Sequence, residues 1–120
     1  MGLDQWIKYE DDEGHDLEKY YRKVNWLRGW MIENTSLDHD SNCEEVFISR
    51  SQLNELLKTC EYVLEHKNDA EEKLPTLGGF FFGTYDYDDW YFTEIENVRD
   101  GLKDILSNKN LCEVTYYDWW

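Results

Sequence analysis

The chain has 120 residues, with 27 Asp and Glu against 12 Lys and Arg and a formal net charge of −15 at pH 7. This length predicts one domain covering residues 1–120, and an aromatic fraction of 17% is too high for a charged disordered chain. The negative charge argues against direct binding to nucleic acid or to an anionic membrane surface, and no apolar run is long enough to cross a bilayer.

The first third of the chain predicts a strand, a loop and a helix. Residues 3–9 alternate between apolar and polar side chains, which is typical of a strand. An acidic loop follows at residues 10–16, and apolar residues then recur at helical spacing over residues 17–34. Trp26 and Trp30 lie off the main apolar stripe. This helix therefore either packs between two layers or displays these two tryptophans on the surface.

The middle of the chain predicts a second strand and a second helix. Residues 35–44 are rich in turn-forming side chains and predict a loop. A short strand is expected at residues 45–49. Ser49 and Gln52 match the S-x-x-Q capping box, which predicts a helix from this point to about His66.

The segment after the second helix has less regular patterns. Residues 68–73 predict a charged connection, and residues 74–79 hold the only proline and two adjacent glycines, which indicates irregular structure. The three phenylalanines at 80–82 predict a short buried strand. Residues 84–92 predict an acidic aromatic loop.

The last part of the chain completes the predicted fold. Thr93 and Glu96 match a second capping box and predict a helix to about Ser107. Residues 111–117 alternate and predict the final strand. The order β-α-β-α-β-α-β indicates an α+β domain with about three helices on a four-stranded sheet. Alternation in the first and last strands favours a sheet that is partly exposed to solvent.

Cysteines and histidines give no pattern typical of a disulfide framework or a zinc site. Three cysteines are an odd number, and their spacing is wide, so we expect reduced thiols that are mostly buried. His39 with Cys43 is the nearest approach to a metal-ligand pair and has no second pair beside it. Without a nucleophile motif, we expect no enzyme, no cofactor and no metal.

Two acidic groups are candidate partner-binding residues. The first comprises Glu10, Asp11, Asp12, Glu13 and Asp16. It is either a solvated loop or a docking surface for a basic protein, and the charge of the whole chain favours the second interpretation. The second comprises Asp86, Tyr87, Asp88, Asp89 and Trp90. Its alternatives are a protein interface, a loop that closes the core, or a calcium site outside the EF-hand pattern.

Two further features have alternative interpretations. Gly78 and Gly79 either let a ligand approach the backbone or form a tight turn, and the turn is favoured. Trp119 and Trp120 end the chain, where a terminus usually frays. Two tryptophans there indicate a tail that is pinned into the fold or used in an assembly contact.

Four segments together resemble a group of small acidic proteins encoded by tailed bacteriophages. They are MGLDQW at the start, YRKVNWLRGWM at 21–31, LPTLGGFFFG at 74–83 and the terminal WW. That group has no assigned activity or catalytic residues, so the resemblance implies only a setting, which is an accessory protein in the cytoplasm of a bacterial host.

This setting and the charge lead to one main hypothesis and two alternatives. The main hypothesis is a non-enzymatic inhibitor of host defence, of anti-CRISPR or nucleic-acid-mimic type, that binds a basic nucleic-acid-handling protein. The first alternative is a protein that binds or sequesters a small ligand such as a nucleotide signal. The second is a phage assembly component, and a homodimer remains open.

Overall fold

A computed structural model describes residues 2–78, 86–111 and 113–120. The elements in chain order are β1 (Asp4–Glu10), β2 (Asp16–Arg22), α1 (Asn25–Asn34), β3 (Glu45–Phe47), α2 (Arg50–Glu65), a 3-10 turn (Lys67–Asp69), α3 (Ala70–Lys73), α4 (Asp89–Leu106) and β4 (Thr115–Trp119). The predicted α+β class is confirmed. The predicted order and helix count are wrong, because a second strand follows the first directly and four helices are present among the described residues.

The four strands form one antiparallel sheet in the order β2-β1-β4-β3. In β1, Gln5 and Ile7 are fully buried, whereas Trp6 and Lys8 on the opposite face are partly exposed. The buried face joins the core formed with α1, α2 and α4. The partly solvated sheet predicted from alternation is therefore confirmed.

The helix predicted over residues 17–34 is wrong in its first part, which is strand β2. A tight turn decides this outcome: the Asp11 carboxylate accepts the backbone N–H groups of Glu13 and His15, and Gly14 adopts a φ of +84°. That turn sends the chain back along β1, so all seven residues of β2 pair with it. Asp16 therefore begins β2.

Helix α4 begins earlier than the capping box at Thr93 and Glu96 predicted. The Asp88 carboxylate accepts the backbone N–H of Tyr91 at 3.1 Å and caps the helix. The Thr93 hydroxyl donates instead to the Asp89 carbonyl one turn earlier.

Several smaller differences concern the ends of elements. The connection predicted at 68–73 contains the 3-10 turn and α3, and β4 covers 115–119 where 111–117 was predicted. The strand predicted at 80–82 lies outside the described residues. Over the described ranges, no helix has both the length and the apolar character needed to cross a membrane.

Helix α2 follows the prediction closely. Both halves of its capping box form: the Ser49 hydroxyl accepts the N–H of Gln52, and the Gln52 side chain accepts the N–H of Ser49. Its apolar stripe is buried against α4, through residues such as Leu53, Leu56 and Val63. Periodicity and capping agree here, which explains why the sequence predicted this helix correctly.

A buried polar network fixes the C-terminal strand. The Arg28 guanidinium on α1 forms an ion pair with the Asp118 carboxylate on β4, and both side chains are fully buried. Tyr116 also donates to Asp118, at 2.8 Å. The same guanidinium donates to three backbone carbonyls of the loop at 38–41.

The last residue is pinned into the fold, which is one of the two alternatives given for the terminal tryptophans. The Trp120 backbone N–H donates to the Asn42 side chain, whose amide donates back to the Trp120 carbonyl. The Trp120 indole N–H donates to the Ser41 carbonyl at 2.7 Å. Trp26 is buried in the core and Trp30 packs against it, so the interpretation of these two residues as core is also confirmed.

Close contact between α4 and β2 leads to a stability prediction. A Cβ added at Gly101 would lie 2.2 Å from the Tyr21 hydroxyl oxygen. Gly101→Ala should lower the free energy of unfolding by about 1 kcal/mol, measured by urea denaturation. In a Tyr21→Phe background the same change should raise it by about 1 kcal/mol, because alanine is the better helix former. The same sign in both backgrounds would contradict this packing.

Candidate partner-binding surface

The two predicted acidic groups lie at opposite ends of α4. The Asp12 carboxylate accepts the backbone N–H groups of Lys109 and Asn110, just beyond the C-terminus of the helix. Asp88 caps its N-terminus. At 1.5 Å per residue, the 18 residues of α4 span about 27 Å. The structure therefore does not bring the two groups into one site.

The acidic hairpin tip, which we define as Glu10, Asp11, Asp12, Glu13 and Asp16, combines fixed and exposed carboxylates. Backbone N–H donors hold Asp11 and Asp12, and these hydrogen bonds lower the pKa of both carboxyls. Glu10, Glu13 and Asp16 are exposed. The tip therefore has a rigid frame that presents three carboxylates to solvent.

The second predicted group is used partly inside the fold. The Tyr87 hydroxyl accepts the backbone N–H of Thr76 at 3.0 Å, and the Tyr87 ring packs edge-on against Tyr91. Asp88 caps the helix and is still exposed, as are Asp86, Asp89 and Trp90, with Trp90 at 63%. The interpretation as a loop that closes the core fits Tyr87, and the interface interpretation still fits Trp90.

Glu94 is a titratable residue that the sequence did not single out. Its carboxyl lines a small cavity of about 150 Å³ together with Asp86, Asp88 and Lys23. Burial raises the pKa of Glu94 to about 7. Its position one turn inside an amphipathic helix resembles that of any exposed glutamate, so no sequence signal marked it.

This pKa shift leads to a pH-dependent stability prediction. The folded protein holds the Glu94 proton more tightly than the unfolded chain, so the free energy of unfolding should fall as the pH rises from about 4.5 to about 7. Discounted for partial exposure, the loss is about 1 to 2 kcal/mol. When urea titrations are repeated at several pH values, Glu94→Gln should lack this fall in the free energy of unfolding with pH. The variant Glu96→Gln, at an exposed position, should keep it. A wild-type slope in the Glu94→Gln variant would contradict the burial.

The outer face of the sheet carries exposed aromatic side chains. We define the open aromatic face as Trp6, Tyr20, Phe47, Tyr117 and Trp119. Strand register places Trp6 directly between Tyr20 and Tyr117, with ring centroids 5.4 and 5.5 Å apart. Phe47 is 73% exposed and Trp119 is 59% exposed. The described helices pack on the opposite face, so none of them covers these rings.

The open aromatic face carries a small net negative charge that increases towards the acidic hairpin tip. The register places Lys8 and Arg22 on it with three acidic residues, which are Asp4, Glu18 and Glu45. Lys8 forms an ion pair with Glu45 at 3.4 Å and also lies 4.9 Å from the centre of the Tyr117 ring. At the next register position beyond this face, Glu10 pairs with Asp16 in the acidic hairpin tip. One continuous surface therefore combines aromatic rings with an acidic edge.

A separate cavity of about 420 Å³ lies between α1, α2 and the segment around Pro75. Trp26 and Trp30 form part of its apolar lining, and Glu33, Glu72 and Lys73 contribute charge. Its volume falls within the range of small-molecule sites. The basic residues on its wall do not outnumber the acidic ones, which disfavours an anionic ligand.

The histidine and cysteine side chains of the described residues do not form a cluster. No group of three or more His, Cys, Asp or Glu side chains there is arranged to hold a metal ion. His15, His39 and His66 are exposed. Cys60 is buried, and burial raises the pKa of its thiol to about 12. Cys43 is exposed and Cys112 lies outside the described residues, so the expectation of mostly buried thiols stays a prediction.

Comparisons with protein families, with curated proteins and with solved structures found no match to this chain.

Proposed function

We propose that this protein is a phage-encoded, non-enzymatic inhibitor of host defence that acts in the bacterial cytoplasm. It would bind a basic protein that handles nucleic acid, such as a CRISPR effector or a restriction enzyme, and block the site where that protein contacts nucleic acid. The observation that carries this proposal is the acidic hairpin tip, where a hydrogen-bonded frame presents exposed carboxylates beside the open aromatic face.

Charge and rigidity both support a protein partner. A net charge of −15 steers a compact domain towards Lys- and Arg-rich surfaces and raises the rate of encounter. Because Asp11 and Asp12 already have backbone partners, the tip loses little conformational freedom on binding. The resemblance to small phage proteins supplies the setting for such a partner.

The proposal is tested by a tagged pull-down from host lysate at low and high ionic strength. We expect one nucleic-acid-handling protein to be recovered at low salt and lost at high salt, since exposed charge pairs are screened. The variant Glu10→Gln, Glu13→Gln, Asp16→Asn should lose this protein. A matched variant that neutralises Glu55, Glu61 and Glu65 on α2 should retain it. Equal recovery with both variants, or binding insensitive to salt, would contradict the proposal.

A second candidate function rests on the cavity between α1, α2 and the segment around Pro75. We propose as an alternative that it binds a small ligand, since its lining combines two tryptophans with polar groups. A ligand that binds the folded state must raise the melting temperature. A thermal-shift screen of nucleotides that gives no shift would remove this alternative for that ligand class.

A further inference from the structure

We propose that the open aromatic face receives arginine side chains of the basic partner, with guanidinium groups stacked on Trp119 and on Tyr20, the exposed rings at 59% and 51%. This inference rests on the proposed function, because it identifies how a basic partner is recognised. The hairpin tip would supply long-range attraction, and the aromatic face would distinguish arginine from lysine.

Trp119 is exposed although it lies in an ordered part of the fold. Trp119 lies in β4 opposite Asp4, and the residues on either side of it are fixed by the buried Asp118 and by the two hydrogen bonds between Trp120 and Asn42. A frayed terminus therefore does not explain its 59% exposure. Contiguous exposed aromatic side chains on a folded domain are typical of an interaction site.

One ring of the open aromatic face already has a cation of the same chain over it, which is the kind of contact proposed for the partner. The Lys8 ammonium lies over the Tyr117 ring, next to Glu45. On the opposite side of the sheet, the Arg28 guanidinium lies 5.3 Å from the centre of the Trp120 ring. A planar guanidinium stacks on an aromatic ring more favourably than an ammonium does. Trp119 is 59% exposed and is the more exposed of the two tryptophans on the open aromatic face.

Charge disfavours the other occupants of an aromatic sheet face. Single-stranded nucleic acid also stacks on such platforms, but its binding needs a positively charged groove. Here the face carries two basic and three acidic residues, and Glu10 and Asp16 border it. A second copy would bring together two chains that each carry −15. A basic protein surface is the occupant whose charge is complementary.

The test uses two labelled peptides of equal length and charge, alternating Gly-Arg and alternating Gly-Lys. At low ionic strength the wild-type protein should bind the arginine peptide about three- to five-fold more tightly. Tyr20→Thr with Trp119→Thr, which keeps strand-favouring residues, should reduce this ratio to about one. Tyr62→Ala is the matched control, because it removes an exposed aromatic ring on α2, and should keep the preference.

The outcomes separate this inference from the proposed function. If neither peptide binds the wild-type protein, the proposed function fails as well. The hairpin variant is the one that carries Glu10→Gln, Glu13→Gln and Asp16→Asn. If both peptides bind the wild-type protein equally and only the hairpin variant binds them more weakly, the proposed function stands and the arginine site is wrong. Loss of the preference in Tyr62→Ala but not in the variant that carries Tyr20→Thr and Trp119→Thr would also overturn it. Binding of oligothymidylate, or a dimer in sedimentation that protects Trp119 from quenching, would assign the face to another occupant.

Discussion

Asp118→Asn should lower the free energy of unfolding by about 3 to 5 kcal/mol, which is the largest single effect expected in this protein. The substitution keeps the shape of the side chain and removes its charge, so the fully buried Arg28 guanidinium loses its counter-ion. It also weakens the hydrogen bond from Tyr116. Since small domains are stable by about 5 to 15 kcal/mol, the variant should unfold at much lower urea concentration.

Asp104→Asn is the matched control for this prediction. Asp104 forms an ion pair with Lys19, but its side chain is 59% exposed, and surface pairs contribute about 1 kcal/mol or less. The chemical change is the same at both positions, so the difference between the two losses of unfolding free energy measures the effect of burial. A similar loss of stability in the two variants would show that the Arg28–Asp118 pair is not buried in solution.

Neutralising the exposed carboxylates of the acidic hairpin tip should weaken partner binding about thirty-fold. Glu10→Gln, Glu13→Gln and Asp16→Asn each remove one charge and leave the structural Asp11 and Asp12 intact. Three exposed pairs are together worth roughly 2 kcal/mol, which gives this change in Kd. The measurement is a titration with the protein recovered in the pull-down.

The salt dependence of the same titration provides the internal check. The wild-type Kd should rise with ionic strength, and the hairpin variant should show a shallower slope because fewer charges face the partner. The α2 variant at Glu55, Glu61 and Glu65 changes the net charge equally and should keep the wild-type slope. If the α2 and hairpin variants behaved alike, net charge rather than the tip would govern binding.

The fold was predictable where local signals agree. In α2, the Ser49–Gln52 capping box and the apolar stripe indicate the same helix, and it forms as expected. In β2, the apolar residues at 17 and 21 fit helical spacing and also fit every second residue of a strand. The hairpin turn selects the strand over the helix. Lys19, which lies between residues 17 and 21 and also faces inward, forms an ion pair with Asp104 on α4. That compensation lies 85 residues away and leaves no local signal.

The candidate site was predictable only in its acidic part. The hairpin tip is visible as a dense acidic segment in the sequence. The open aromatic face is assembled from β1, β2, β3 and β4, so its rings are scattered from Trp6 to Trp119. Their proximity depends on the strand register, which the sequence did not supply. The 90-residue separation of Arg28 and Asp118 hid the buried ion pair for the same reason.

The most direct test of the proposed function is a displacement measurement. The protein recovered from host lysate is loaded with labelled nucleic acid and titrated with this chain at low and high ionic strength. We predict release of the nucleic acid at low ionic strength, with little release by the hairpin variant and full release by the α2 variant. If the chain bound that protein while the nucleic acid stayed bound, the proposed mode of inhibition would be wrong.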